Sequence, residues 1–487
     1  MEKDTLAPRS AQWREDLRKA MSARDRMALP RVKMHELEPA ERLAHPRAEV
    51  NTGLTAEQAV SEATRCLDCP EPTCVTGCPV QIDIPGFIKN IQRGEVDEAA
   101  RVLHHTSALP AVCGRVCPQE KQCESRCIYL KTKKDPIAIG YLERFAADNA
   151  TKVVAAETEV ADDAPRVAVV GSGPAGLSFA GEMAQQGFRV TVFEALHEIG
   201  GVLKYGIPEF RLPNEIVDAE IDSLRNHGVE FVKDCVIGKT LTIDNLREMG
   251  FEGVFVGSGA GLPRFMNIPG ENLVGVMSCN EYLTRINLMG AGQPGFDTPV
   301  MRGNRVAVIG GGNTAMDAVR TARRMGAEHA FIVYRRSREE MPARIEEVHH
   351  AEQEGVEFLT LHNPTEYLAD ERGHVRAMRL QRMELGEPDE SGRRSPVPIE
   401  GDIVEMEVDL VIVSVGVSPN PLIPNTVKDL DVSRRGTIVV DEASMRSSIS
   451  DLYAGGDIVR GGATVILAMG DGRRAARAMA ETLRNRK

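Results

Sequence analysis

At 487 residues the chain has room for about three domains, which excludes a single small module. Hydrophobic residues at 42% and charged residues at 27% are ordinary for soluble globular chains, and no run approaches the ~20 apolar residues of a membrane span. A net charge of −12 argues against nucleic-acid binding, which needs a dense basic surface, and the charged start MEKDTLAPRSAQWREDLRKAM lacks a signal peptide's apolar core. A cytoplasmic location is the expectation.

Residues 1 to about 60 read as helix and irregular arm, interrupted by Pro8, Pro30, Pro39 and Pro46. In TAEQAVSEATRC, Thr55 is followed three residues later by Gln58, a capping pair that predicts a helix leading into the first thiol. Eight of the ten cysteines then fall between Cys66 and Cys127, a crowding that in a reducing compartment favours metal ligation over disulfides. Cys66, Cys69, Cys74 and Cys78 precede Pro79, and Cys113, Cys117, Cys123 and Cys127 contain a second Cys-Pro at Pro118. The spacing is close to, but not the same as, a bacterial ferredoxin run, so two 4Fe-4S clusters or two zinc sites are both open at this point. Cys235 and Cys279 read as buried free thiols. His104, His105, His349 and His350 read as surface or helix-end residues.

After a weakly patterned linker the sequence alternates apolar runs with amphipathic helices, the pattern of parallel sheets covered on both faces. RVAVVGSGPAGLSFAGEMAQQGFRVTVFEA begins at Arg166 and RVAVIGGGNTAMDAVRTARRMGAEHAFIVYRR at Arg305, so the chain holds two nucleotide-binding units of one design. In the first, Gly171, Gly173 and Gly176 supply the tight turn, the approach of a pyrophosphate and close helix packing. Pro174 and Ala175 open the helix, and Glu194 at the next strand end can accept hydrogen bonds from ribose hydroxyls. In the second, Gly310, Gly312 and Ala315 hold the equivalent positions, with Asn313 and Thr314 between them. Here the strand ends in Arg335 and Arg336, with Arg338 beyond, which suits a 2′-phosphate and so NADPH over NADH.

Two such units in one chain point to a flavin and a nicotinamide, one giving hydride and the other taking it. LYAGGDIVRGGATVILAMGDGRRAARAM, from Leu452, places Gly456 and Asp457 after a strand and Thr464 at a helix start, where an acid could bind a ribityl chain and a helix N-terminus could favour a reduced flavin's negative charge. Beside a flavin, iron–sulfur clusters explain the thiols better than zinc, which carries no electrons. RMELGEPDESGRRSPVPIEGDIVEMEVD, from Arg382, reads as a hairpin with an exposed tip.

CLDCPEPTCVTGCPVQIDIP, CGRVCPQEKQCESRC, GSGPAGL, YGIPEFRLP at Tyr205 to Pro213, GGGNTAMD and AGGDIVRG together resemble the small subunit of NADPH-dependent glutamate synthase over nearly the whole chain after residue 45. The same architecture is similar to the N-terminal half of dihydropyrimidine dehydrogenase and to the large subunit of electron-bifurcating NADH-dependent ferredoxin:NADP oxidoreductase. The resemblance implies FAD, NADPH and two 4Fe-4S clusters, with Gly201 and Arg211 added to the cofactor-binding residues. It also implies interleaved ligands: Cys66, Cys69, Cys74 and Cys127 on one cluster, and Cys78, Cys117, Cys123 and Glu143 on the other. Cys113 is then spare, whereas a ferredoxin-like grouping makes it a ligand. The fold class is α/β, with two Rossmann-like domains preceded by a small helical iron–sulfur domain. Residues 1–150 form the arm and cluster domain, 151–164 the linker, 165–300 plus 416–487 the FAD domain and 301–415 the NADPH domain.

The resulting expectation is an electron-entry subunit, passing electrons from NADPH through FAD and the clusters to an FMN-containing large subunit that makes glutamate from glutamine and 2-oxoglutarate. The chain starts Met-Glu, not with a glutaminase's Met-Cys, and no barrel-sized segment is unassigned. The rivals are a bifurcating enzyme, with ferredoxin as a partner, and a non-enzymatic zinc scaffold. Thioredoxin-reductase chemistry is disfavoured because 301–415 contains no cysteine.

Overall fold

The computed structural model describes residues 6–151, 160–390 and 392–486, so most of the linker expected over 151–164 lies outside the described residues. In chain order the strands are β1 (Arg166–Val170), β2 (Arg189–Phe193), β3 (Glu230–Val232), β4 (Phe251–Val256), β5 (Leu262–Pro263), β6 (Val276–Ser278), β7 (Arg305–Ile309), β8 (His329–Tyr334), β9 (Glu357–Thr360), β10 (His362–Ala369), β11 (Val375–Pro388), β12 (Arg394–Glu407), β13 (Leu410–Val413), β14 (Val417–Ser418) and β15 (Leu452–Ala454).

The apolar runs become buried central strands. Val167, Ala168 and Val169 are fully buried, and so are Ala307 and Val308 in the second unit. Strands apolar on both faces need cover on both, which a parallel sheet with crossover helices provides. The first sheet has the order β15-β4-β1-β2-β3 and the second β6-β13-β7-β8-β9, with every neighbouring pair parallel. In both, the strand order reverses beside the strand that carries the glycine turn, at β1/β4 and β7/β13, which opens a crevice at the carboxyl ends.

One boundary moves. β6, placed in the FAD domain by the division at residue 300, pairs with β13 at the edge of the second sheet. The chain crosses between units at the antiparallel pair β5 and β14, with Leu262 opposite Ser418. The second unit therefore contains Cys279, buried at the start of the helix Cys279–Asn287. A lone thiol there still cannot form a redox dithiol. β11 and β12 form the expected hairpin, and with β10 they cover one face of the second sheet.

In the N-terminal region Thr55 and Gln58 form the capping box anticipated from sequence, starting the helix Ala56–Arg65. The thiol segment does not have a core of its own. Ile88, Leu103 and Val112 belong to one continuous apolar cluster with Val169, Phe179 and Met469 of the first nucleotide unit. A helical segment this short buries too little surface alone, and sharing a core fixes its position against the crevice. Among the described residues no helix is long and apolar enough to cross a membrane.

Candidate functional site

The first glycine turn is shaped as its spacing implies. A Cβ on Gly176 would lie 2.0 Å from the Gly171 carbonyl oxygen, whereas one on Gly173 would meet nothing within 4 Å. The third glycine is thus a packing requirement, and the second leaves open space over the backbone for a pyrophosphate. Gly201 comes up beneath this turn, a Cβ there falling 2.9 Å from the Gly173 Cα. Glu194 lies in the expected place at the end of β2 and is buried. Ser172, missed in the sequence, joins it to the turn: its amide and hydroxyl donate to Glu194 Oε2 at 2.8 and 2.6 Å, while its Oγ accepts from the Gly200 amide at 2.9 Å. The only signal for it was its place between two of the glycines.

Asp457 follows Gly456 at the C-terminal edge of the same sheet, and burial raises its carboxyl while the Ala463 amide partly offsets that. Asp471, also missed, is fully buried and holds this turn by accepting from the Gly456 amide at 3.0 Å and from Arg460 at 2.6 Å. Thr464 caps the long helix Val465–Arg484, accepting from the Leu467 amide.

At the second turn Gly310 follows β7 and the space over Gly312 is again empty within 4 Å. Ala315 is buried, and Asn313 Oδ1 accepts from the Arg344 amide at 2.8 Å, drawing the 341–344 loop across the turn. Thr314 is exposed beside it. Arg335 is exposed at the end of β8 and makes no ion pair with a described residue. Arg336 departs from expectation: it is buried, donating to Asp389 Oδ2 at 2.5 Å and to the Arg394 carbonyl at 2.8 Å, so its guanidinium holds the hairpin tip.

Arg211 departs too. Its guanidinium reaches out of the flavin unit to Asp317 at 2.7 and 2.8 Å and to Glu347 at 3.2 Å, both in the second unit. Burial raises the Asp317 carboxyl to about 6 against the pull of Arg211, whereas Glu347, also buried, is held down at about 2 by Arg211 and Arg320. His350 joins this network: it sits in the last turn of the helix Ile345–Gln353, as a helix-end residue, but is 2% exposed rather than on the surface, with Nε2 3.1 Å from Glu36. The neighbouring carboxylates already have cations, Glu36 pairing with Arg42 at 3.0 Å and Glu346 with Arg344 at 2.9 Å.

All eight clustered cysteines are free thiols, and the fold sorts them into two groups. Burial raises Cys66, Cys69 and Cys74, and the neighbouring Cys127 sulfur adds to the effect in each. Burial likewise raises Cys78, to about 11, with Glu143 and Cys117 adding to it, and Cys123 feels the same two groups. Glu143 itself is pushed up to about 8 by burial and then by Glu220, and its Oε1 is buried without a hydrogen-bond donor. Cys113 is fully buried next to Cys117 and 3.5 Å from Met469 Sδ. Crowded thiols and an orphaned carboxylate oxygen fit positively charged iron. Among the described residues no three cysteine sulfurs lie within 4.8 Å of one another.

Cys78, Cys113, Cys117 and Cys123 are buried, whereas in the other group Cys66 is buried and Cys69, Cys74 and Cys127 are partly exposed, so the second group reaches the surface through three of its four thiols and is the outer one. The inner side rests on the Val465–Arg484 helix. Gln122 donates to Thr464 Oγ1 at 3.4 Å, Arg473 donates to the Val80 carbonyl at 2.5 Å, and Gly470 abuts Pro79.

Two glycine-turn units with a thiol-rich helical segment against the first define a pyridine-nucleotide oxidoreductase with an iron–sulfur domain. Residues 43–154 match the family described as dihydropyrimidine dehydrogenase domain II, 4Fe-4S cluster, and residues 165–472 match pyridine nucleotide-disulphide oxidoreductase. The chain is 35% identical to the glutamate synthase [NADPH] small chain of Azospirillum brasilense over 91% of this chain and 93% of that one. It is 36% identical to the NADP(+)-dependent formate dehydrogenase subunit beta of Moorella thermoacetica, over 84% of this chain and 60% of that protein. Mycobacterium tuberculosis FprA in complex with NADPH shares the fold at a TM-score of 0.56 and 21% identity, covering 66% of this chain and 85% of that one. The chain belongs to the glutamate synthase [NADPH] small-chain family. It is an NADPH-dependent flavin and iron–sulfur oxidoreductase.

Proposed function

We propose that this chain is the NADPH-oxidising, electron-input subunit of a glutamate synthase, with two 4Fe-4S centres and a separate FMN-containing large subunit that forms glutamate. One observation carries the direction of flow. The inner thiols lie against the helix whose N-terminus faces the flavin crevice, and the outer thiols lie nearer solvent. Similarity to a whole small chain, over 93% of its length, supports the choice of partner.

When bound, FAD would supply two-electron hydride chemistry with NADPH, and the 4Fe-4S centres would supply single-electron transfer. The chain's own residues bind and orient. Gly171, Gly173 and Gly176 with the helix start would hold the FAD pyrophosphate, Glu194 its ribose and Asp457 the ribityl side, while Thr464 caps the helix N-terminus that would favour a reduced flavin. Gly310, Gly312 and Ala315 seat NADPH, and exposed Arg335 takes its 2′-phosphate. Cys66, Cys69, Cys74 and Cys127 hold the outer centre, and Cys78, Cys117, Cys123 and Glu143 the inner one. The Arg211 bridge keeps the two nucleotide units in register.

The purified chain is then expected to reduce artificial acceptors with NADPH and to make no glutamate; the complex with its co-purified partner makes both reactions. Glutamate formed by the chain alone would refute this division. Similarity to a formate dehydrogenase beta subunit favours a second reading, in which the same module serves another electron acceptor. Co-purification with a partner that lacks glutaminase activity would identify it.

A further inference from the structure

Lys89 is 0% exposed on the helix Ile84–Gln92. Its Nζ donates to the Cys66 carbonyl at 2.5 Å and to Gln92 Oε1 at 2.7 Å, two neutral acceptors. Asp68 is the natural counter-ion by position, but its oxygens are taken: Oδ1 by Arg14 at 2.5 Å and Oδ2 by Arg18 at 2.5 Å. Glu62 is paired with Arg65 at 2.5 Å in the same way. Lys89 thus has no carboxylate within ion-pair distance among the described residues. A buried ammonium without a counter-ion is costly, so a position like this requires negative charge from somewhere else. The thiolate group that begins at Cys66 is the adjacent source.

We propose that Lys89 is the buried counter-ion of the outer thiolate centre and raises its reduction potential, favouring that centre's reduced state. The inference rests on the reading of Cys66, Cys69, Cys74 and Cys127 as iron–sulfur ligands. A hydride from NADPH supplies two electrons and one proton; with the proton released to solvent and the electrons passed on one at a time, each electron that reached the outer centre would add one negative charge to it. A fixed cation in a low-dielectric site favours that added charge. The inner group has its own charged neighbours, Arg473 beside Cys78 and Arg344 beside Cys117, so the effect assigned to Lys89 is confined to the outer centre. Lys89 acts through the centre and is a positioning residue, not a catalytic one.

The test is an EPR-monitored redox titration of the complete chain and of its K89M, K89Q and K89R variants, with iron content and ferricyanide reduction by NADPH measured in parallel. Gln keeps the hydrogen bond to the Cys66 carbonyl without the charge, and Arg keeps the charge. In K89Q and K89M the outer midpoint is expected to move negative, so that the reduced-to-oxidised ratio at a fixed potential falls roughly tenfold, while the inner midpoint and ferricyanide reduction stay put. K89R retains the wild-type midpoint. An unchanged outer midpoint in a fully loaded K89Q protein would overturn the proposal, as would an equal shift in K89R. Loss of iron from K89M and K89Q but not from K89R supports the counter-ion role; loss from all three contradicts it. Absence of any 4Fe-4S signal in wild type would instead remove the iron–sulfur reading on which the proposal stands.

Discussion

Arg211, on the YGIPEFRLP loop of the flavin unit, donates to both carboxylate oxygens of Asp317 in the second nucleotide unit, at 2.7 and 2.8 Å, with both side chains about 95% buried. The contact crosses the two-strand junction β5/β14 through which the units are joined. It ties the two units together, and in the proposed function it would hold the orientation in which one nucleotide faces the other, on which hydride transfer depends.

Replacing Arg211 by Met strands the buried Asp317 carboxylate and leaves Glu347 with Arg320 as its ion-pair partner. Breaking a buried pair in this way costs about 3–5 kcal/mol. R211M is expected to keep its FAD but to unfold at lower denaturant and to reduce flavin with NADPH at least ~10-fold more slowly by stopped flow. An unchanged rate in a correctly folded variant would show that the pair does not set the geometry.

The same network makes a pH prediction. Burial would raise Glu347 and Glu354, but Arg211 and Arg320 for the first, and Arg324 and Arg320 for the second, hold both at about 2 against the usual 4.5. Their folded pKa values are depressed, so their contribution is complete above about pH 4.5 and is lost as pH falls towards 2. Each is worth about 3 kcal/mol. Urea unfolding between pH 5 and 3, followed by circular dichroism, should show a steep acid limb in wild type and a shallower one in E354Q. Parallel limbs would remove Glu354 as a cause.

Much of this was legible in sequence. The glycine spacings, the Thr55–Gln58 cap, the hairpin from Arg382 and the two thiol groups all depend on local chemistry that a pattern records. The roles of Arg211 and Arg336, and the burial of His350, were missed because each takes a partner distant in the chain: Asp317, Asp389 and Glu36. Ser172 and Asp471 escaped notice because short polar residues at turns have no periodic signature. The shared core of the cluster region and flavin unit was invisible for a related reason, since apolar periodicity shows which face is buried but not against what.

Cys113 and Glu143 can be separated by iron analysis. Glu143 has a buried carboxylate oxygen without a donor, while Cys113 contacts Met469. Cys113→Ser is expected to keep both centres, and Glu143→Ala to lose about half the iron and one EPR signal. The reverse outcome would restore the ferredoxin-like grouping.

Arg335 is exposed and unpaired among the described residues at the end of β8, whereas Arg336 is committed to Asp389. Arg335→Ala should raise the KM for NADPH by roughly 10- to 100-fold and leave the KM for NADH within about twofold. A matching rise for both would place Arg335 in general binding or stability.

The central claim is that electrons entering from NADPH pass through the flavin to thiol-bound iron in this same chain. Anaerobic titration of the purified chain with NADPH, followed by visible absorbance and by EPR at low temperature, tests it most directly. The flavin should bleach, and reduced 4Fe-4S signals should then appear with further equivalents. Bleaching that ends at the flavin in an iron-loaded chain, or a protein without iron, would contradict it.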